Sequence, residues 1–177
     1  MLYSAVVSTA VSRVAFQLGV TLSDKERKEA GASVGKWTPF PDTVAALGRL
    51  STFFKLLVLS NVDLDSFSHT RTLLEHGFTF DRVLTAQEIG SYKPDTANFV
   101  HMLAVANKEL GVPREQVLVT AQSLMHDHVP ANQLGLASAW IQRNGSMGHT
   151  DGAKWTFRFP TLAAMADTLE SELADPN

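Results

Sequence analysis

Lys55-Leu56-Leu57-Val58-Leu59-Ser60-Asn61 is the stretch on which the fold turns. Four consecutive aliphatic residues lie between a charged residue and two small polar ones. The run is too short for a buried helix and lacks the alternation of a half-exposed strand. It reads as a strand covered on both faces, the kind found in parallel sheets. Helical patterns flank it. Pro41 and Asp42 open a helix through Leu50, and a second helix spans about Leu64 to His76 and stops at Gly77. Further on, Arg82–Thr85 reads as a second strand. Asp95 caps a helix to Leu110, which Gly111 and Pro113 end. Val117–Ala121 is a third strand, Pro130 sits in the first turn of a short helix ending at Gly135, and Ala137–Ile141 is a fourth strand. Residues 150–158 read as loop. A last amphipathic helix follows Pro160, with Leu162, Met165, Leu169 and Leu173 inward. Strands alternating with helices predict an α/β fold with a doubly wound, Rossmann-like parallel sheet.

Upstream of this pattern no strand stands out. Tyr3, Val6, Val7, Ala10, Val14 and Leu18 share one face at helical spacing and Gly19 closes the run, so a helix is expected there. Val6-Val7-Ser8-Thr9-Ala10-Val11 is also β-friendly, which leaves a strand as the competing reading. Ser23 and Glu26 form a capping box for a second helix, which ends in the Gly31–Gly35 passage. Trp37-Thr38-Pro39-Phe40-Pro41 is a rigid connector. The expected division is a helical unit over residues 1–40 and an α/β domain over residues 41–177.

The bulk composition narrows the function classes. With 177 residues, 45% of them hydrophobic, the chain can bury the core of one domain. The 15 Lys and Arg are scattered and the net charge is −3, so no nucleic-acid partner is expected. The absence of cysteine excludes disulfides, a thiolate nucleophile and a Cys-based zinc site. The apolar N-terminal stretch has no basic residues before it and is too short and too rich in Ser and Thr to span a bilayer. No membrane association is expected, and the location expected is cytoplasmic.

Reactive groups in an open parallel sheet gather beyond the carboxyl ends of its strands. Three polar clusters fall there: Ser60-Asn61, Tyr92-Lys93-Pro94-Asp95, and Gln122-Ser123-Leu124-Met125-His126-Asp127-His128. Each has a plain structural reading as a turn, a helix start or a solvated loop. His126-Asp127-His128 matches no standard zinc spacing, and no metal is expected there. No Gly-rich phosphate loop follows any strand, which argues against a nucleotide-binding module.

Taken in order, the clusters resemble motifs II, III and IV of the haloacid dehalogenase superfamily, in its type II, L-2-haloacid dehalogenase-like branch. Lys93 lies 33 residues after Ser60, and Asp127 lies 34 after Lys93. Phe40-Pro41-Asp42-Thr43, Leu59-Ser60-Asn61, Phe80-Asp81, Glu88-Ile89-Gly90-Ser91-Tyr92-Lys93-Pro94-Asp95, and Gly135 leading to Ala139-Trp140-Ile141-Gln142-Arg143 fit the same branch. The resemblance covers nearly the whole chain. It implies a hydrolase in which an aspartate on the first strand forms a covalent ester with the substrate, later cleaved by water. By the same resemblance Ser60, Lys93 and Asp127 are catalytic. Ser60 binds the transferred group or the substrate carboxylate, Lys93 neutralises negative charge, and Asp127 stands near Lys93 and the water. Asn61, Tyr92 and Ser123 would bind substrate, a small organic acid halide or phosphate ester.

Two departures accompany the resemblance. No apolar strand ending in the nucleophilic aspartate precedes Lys55; Asp63-Leu64-Asp65 follows a strand, but the downstream spacing makes that strand motif II. The resemblance therefore implies an N-terminally truncated member, with residues 1–40 as the tail of a helical cap subdomain and an α/β core lacking its nucleophile strand. Gln122 is neutral where the phosphatases carry an acid for Mg²⁺, so no cofactor is expected. The chain as given should be inactive, and a non-catalytic protein is the alternative. The absent strand would lie in the middle of the sheet. The gap is expected to close, with Leu56–Ser60 beside Val117–Ala121, or to be filled by the Ala5–Val14 segment, with a homodimer as the third route.

Overall fold

The computed structural model describes residues 1–143 and 152–174. Ser23 starts the second helix as its capping box requires: its hydroxyl accepts the Glu26 N–H, and its own N–H donates to the Glu26 carboxylate. That helix, α2 (Asp24–Ala32), packs along α1 (Tyr3–Gln17). The approach is close because Gly31 faces α1: a Cβ there would lie 2.6 Å from the Ser4 carbonyl oxygen. A 3-10 turn, Ser33–Lys36, leads to α3 (Thr43–Leu50).

The alternation follows. β1 (Leu57–Ser60), α4 (Leu64–Leu74), β2 (Arg82–Thr85), α5 (Ala86–Ile89) and α6 (Thr96–Leu110) form one half. β3 (Leu118–Ala121), a π-helical turn at Leu124–His128, α7 (Val129–Gln133), β4 (Ala137–Ile141), β5 (Phe157–Phe159) and α8 (Leu162–Ala174) form the other. Every strand pair is parallel: β1 with β2, and β3 with β4 with β5. The expected parallel α/β architecture is present.

The sheet, however, is in two pieces, β1-β2 and β3-β4-β5. This overturns the expectation that the gap closes or that the Ala5–Val14 segment fills it. That segment is helical throughout, with its first turn tied down by Asp63, which accepts the Ser4 N–H at 2.8 Å. Helices pack on both faces of the two pieces. On one side Phe99, Met102 and Val105 of α6 form a cluster with Leu84 and Val119. On the other, Leu50 of α3 joins Ala139, Ile141, Met165 and Ala166. Arg49 locks α3 to α8 through Glu170 and Asp167, at 2.6 and 2.7 Å. Asp42 bridges the same region: it accepts from Arg143 and from the Leu162 and Ala163 N–H groups at the start of α8.

Smaller expectations also change. Residues 157 and 158, read as loop, join Phe159 in β5 on the far edge of β4; residues 150 and 151 of that reading lie outside the described residues. Leu162 and Leu169 pack on the core with Met165, but Leu173 is exposed. The stretch before Val129, whose plain reading is a solvated loop, is a π turn capped by Ser123. Among the described residues no helix is long and apolar enough to cross a membrane.

Candidate active site

β1 ends at Ser60, and Leu59, Ser60 and Asn61 sit at the carboxyl end of the first half-sheet. Asn61 grips the loop that carries Lys93. Its side-chain carbonyl accepts the Lys93 N–H at 2.7 Å, and its amide donates to the Lys93 carbonyl at 3.0 Å. Buried Asn98 holds the same loop from behind, donating to the Ser91 hydroxyl and the Asp95 carbonyl. Asp95 in turn caps α6 by accepting the Ala97 N–H. The loop is braced at both ends, which limits where the Lys93 stem can go.

The second half-sheet supplies the acid. Beyond β3 the chain enters the π turn, where buried His128 lies between β3 and β4. Its Nε2 is 3.1 Å from the Ala121 carbonyl and its Nδ1 is 3.0 Å from the Ser138 hydroxyl. A neutral ring donating from Nε2 and accepting at Nδ1 satisfies both contacts. With both ring nitrogens so engaged, His128 is an anchor for the turn, and its neighbour Asp127 is placed at the sheet's end.

Across the gap, Lys93 Nζ donates to Asp127 Oδ1 at 2.6 Å and to the Leu59 carbonyl at 2.7 Å. Both side chains are only 12% exposed. A cleft of about 620 Å³ runs between β1 and β3, and Lys93 and Asp127 line its end. Ser60 directly follows the carbonyl that receives the ammonium. Two other expected residues point elsewhere. The Tyr92 hydroxyl donates to the Met1 carbonyl at 2.8 Å, and burial together with the nearby Asp63 carboxylate raises its pKa. The Ser123 hydroxyl accepts the His126 N–H and lies 3.0 Å from His126 Nδ1. Asn61, as above, spends its amide on the Lys93 backbone. The Leu59 carbonyl carries no side-chain signal in the sequence, and only the fold reveals it as a partner of Lys93.

Asp63, the acid that could be mistaken for a nucleophile, is spent on caps. Its two oxygens accept the Ser66 N–H at the start of α4 and the Ser4 N–H in α1. Burial raises its pKa, but these hydrogen bonds outweigh that and bring it down to about 2.

The donor set at the cleft end does not suit a hard divalent cation. Asp127 is taken by an ammonium, Gln122 is neutral and gives its backbone carbonyl to the Trp140 indole N–H, and no group of three His, Asp or Glu able to hold a metal occurs among the described residues.

No family model matches the sequence, and the relationship comes from pairwise likeness. The chain is 28% identical over 158 residues to an (S)-2-haloacid dehalogenase of Pseudomonas putida, a match spanning 88% of this chain and 67% of that protein. It is 27% identical over 157 residues to an (S)-2-haloacid dehalogenase of Pseudomonas sp. (strain YL), spanning 87% and 65%. In three dimensions it superposes on the L-2-haloacid dehalogenase of Xanthobacter autotrophicus with a TM-score of 0.82 at 18% identity, covering 96% of this chain and 76% of that one. The chain is similar in sequence to (S)-2-haloacid dehalogenases and shares the fold of the L-2-haloacid dehalogenases. It spans about two thirds of the length of the curated relatives it matches.

Proposed function

We propose that these 177 residues are the scaffold of a haloacid dehalogenase-like hydrolase, that the scaffold holds a small organic acid halide or phosphate ester, and that it does not turn its substrate over unaided. The observation that carries this reading is the Lys93 ammonium, fixed at 2.6 Å from Asp127 and 2.7 Å from the Leu59 carbonyl where the cleft ends. An ammonium has three N–H donors, so one remains for an anion. In a site shielded from water that donor interacts more strongly with a carboxylate or phosphoryl oxygen than it would in bulk solvent. Ser60 stands beside it as the hydroxyl for the same anion. Asn61 acts as a positioning residue through the Lys93 backbone, and Asp127 orients the ammonium.

The relatives support the substrate class: those from Pseudomonas are 2-haloacid dehalogenases, and the Xanthobacter enzyme is known with chloropropionic acid covalently bound. Turnover in this family's manner needs a carboxylate nucleophile. Asp127 is held against Lys93 and Asp63 is committed to two helix caps. Ser60 and Lys93 can then bind and polarise, without an ester-forming step. The experiment is to incubate the purified 177-residue protein with 2-haloacids and with aryl phosphates, measuring halide and phosphate release alongside binding of the 2-haloacid. Binding that Lys93→Ala removes, with release at the blank level, is expected. Turnover abolished by Lys93→Ala would overturn the claim that the scaffold is inactive alone, and binding indifferent to Lys93→Ala would overturn the site.

A further inference from the structure

The Lys93 nitrogen is held on two sides and open on the third. Leu56 turns toward β2, where its carbonyl accepts the Asp81 N–H. Backbone direction alternates along a strand, so Val58 and Ser60 also turn toward β2 while Leu57 and Leu59 turn toward the cleft. The Leu59 carbonyl is therefore left for Lys93 and takes one N–H of Nζ at 2.7 Å, and Asp127 Oδ1 takes a second at 2.6 Å. The third position on the nitrogen has no acceptor among the described residues, and Lys93 lines the cleft. The cleft walls are apolar: Phe99 and Met102 of α6 on one face and Leu50 and Met165 on the other are all buried. A second ammonium on the cleft, that of Lys55, stands four residues before Leu59, roughly 13 Å away at the rise of a strand, and is paired with Asp81.

An amine against a carboxylate in an apolar recess is the pairing that condensation with a carbonyl compound needs: the amine attacks and the carboxyl group moves protons. We infer that Lys93 captures small uncharged aliphatic aldehydes as a protonated imine, with Asp127 carrying the protons. Asp127 first takes a proton from Nζ along their hydrogen bond, which turns two buried charges into a neutral acid and a neutral amine. Rotation by a third of a turn about Cε–Nζ brings the freed lone pair to the open position, while the Leu59 carbonyl still receives an N–H. Nζ then bonds the aldehyde carbon, and the carbonyl π pair moves to its oxygen. Asp127 protonates that oxygen and takes a proton from Nζ, giving a carbinolamine. A second proton from Asp127 releases the oxygen as water and leaves the iminium. The sum is ammonium plus aldehyde to iminium plus water; Asp127 ends as it began, a carboxylate beside a cation, and nothing is oxidised or reduced. The aldehyde class follows from charge: once Lys93 is the iminium, a carboxylate on the substrate has no cation near it, since Lys55 is distant and paired. A cleft of about 620 Å³ with apolar walls takes a chain of a few carbons. This inference rests on the Lys93–Asp127 geometry and not on the hydrolase reading.

The test incubates the full 177-residue protein with butanal and cyanoborohydride, which fixes an imine as a butylated amine, and follows each of the seven lysines by peptide mass spectrometry. Expected is modification of Lys93 that saturates with butanal and outpaces each of the other six lysines about a hundredfold. Asp127→Asn should slow trapping at Lys93 on the order of a hundredfold, and Asp127→Glu should recover part of it. Succinic semialdehyde, which carries a carboxylate, should be trapped at Lys93 more slowly than butanal. The inference is overturned if Lys93 reacts no faster than the exposed lysines, if its modification stays linear in butanal, or if Asp127→Asn leaves it unchanged. Faster trapping of succinic semialdehyde overturns the uncharged class. The comparison among lysines of the parent protein needs no variant, so it decides the case even where a variant fails to fold. A 2-haloacid held by the same nitrogen should slow the trapping. Selective trapping that a 2-haloacid leaves unchanged removes the hydrolase reading and keeps this inference; 2-haloacid binding without selective trapping removes this inference alone.

Discussion

Removing the Lys93 ammonium leaves the Asp127 carboxylate, 12% exposed, without its cation at 2.6 Å. A half-broken buried pair costs more than the pair is worth, because the remaining charge stays desolvated. Lys93→Met should therefore destabilise the protein by about 3 kcal/mol, and the double variant Lys93→Met with Asp127→Leu should recover most of that loss. Urea unfolding of the two single variants, the double variant and the parent measures the coupling; strictly additive losses would show that the two groups do not act as a pair. At this scale the sequence was readable where chemistry coincides with position. Ser60, Lys93 and Asp127 each follow a strand or a strand-end loop, and Lys93 and Asp127 meet. Tyr92 and Ser123 lie in the same clusters, yet their hydroxyls turn to the Met1 carbonyl and to the π turn. Nothing in residue type announces which neighbour a hydroxyl will choose.

Helix α1 shows how an element depends on a residue far along the chain. It has no side-chain cap of its own and no buried residue, and its first turn is held by Asp63 at the start of α4. The folded pKa of Asp63, about 2, lies below the ordinary 3.8. A carboxyl with a lowered folded pKa stabilises above its unfolded pKa and loses that contribution as pH falls through the folded value. The Asp63 contribution, on the order of 2 kcal/mol, should be complete above pH 4 to 5 and disappear on acidification toward about pH 2. Comparing the parent with Asp63→Asn across that range checks it: the stability gap should shrink toward low pH, and a constant gap would contradict the capping role. Elements with an internal signal were legible, such as α2 with its capping box and β1 with its aliphatic run. β5 was not, because Phe157-Arg158-Phe159 has three residues and gains strand form only by pairing with β4.

For the whole molecule, the divided sheet sets a pattern of local stability. Backbone groups that face the cleft are guarded by side chains alone, while those between paired strands are held in a ladder. Amide exchange of the free protein should be fast at Leu57 and Leu59, slow at Val58 and Ser60, and slow at Ala139 and Trp140 of β4, where the chain is buried and paired on both sides. Equal protection along β1 would mean that its second edge is covered in solution.

The order of β1 to β4 and of the longer helices around them, the parallel class of the sheet and the three polar clusters at the strand ends were determined by sequence alone. Each depends on local periodicity, on turn residues or on the topological rule that brings strand ends together. Whether the sheet would close was a different kind of question. Closure weighs two unpaired edges against helices already packed on both faces, the Arg49 and Asp42 links between α3 and α8, and a lysine that spans the gap from Leu59 to Asp127. Those contacts join residues up to 121 positions apart, and no local pattern carries their sum. Only the tertiary structure decided that the two half-sheets stand apart, because the packing that holds them is non-local.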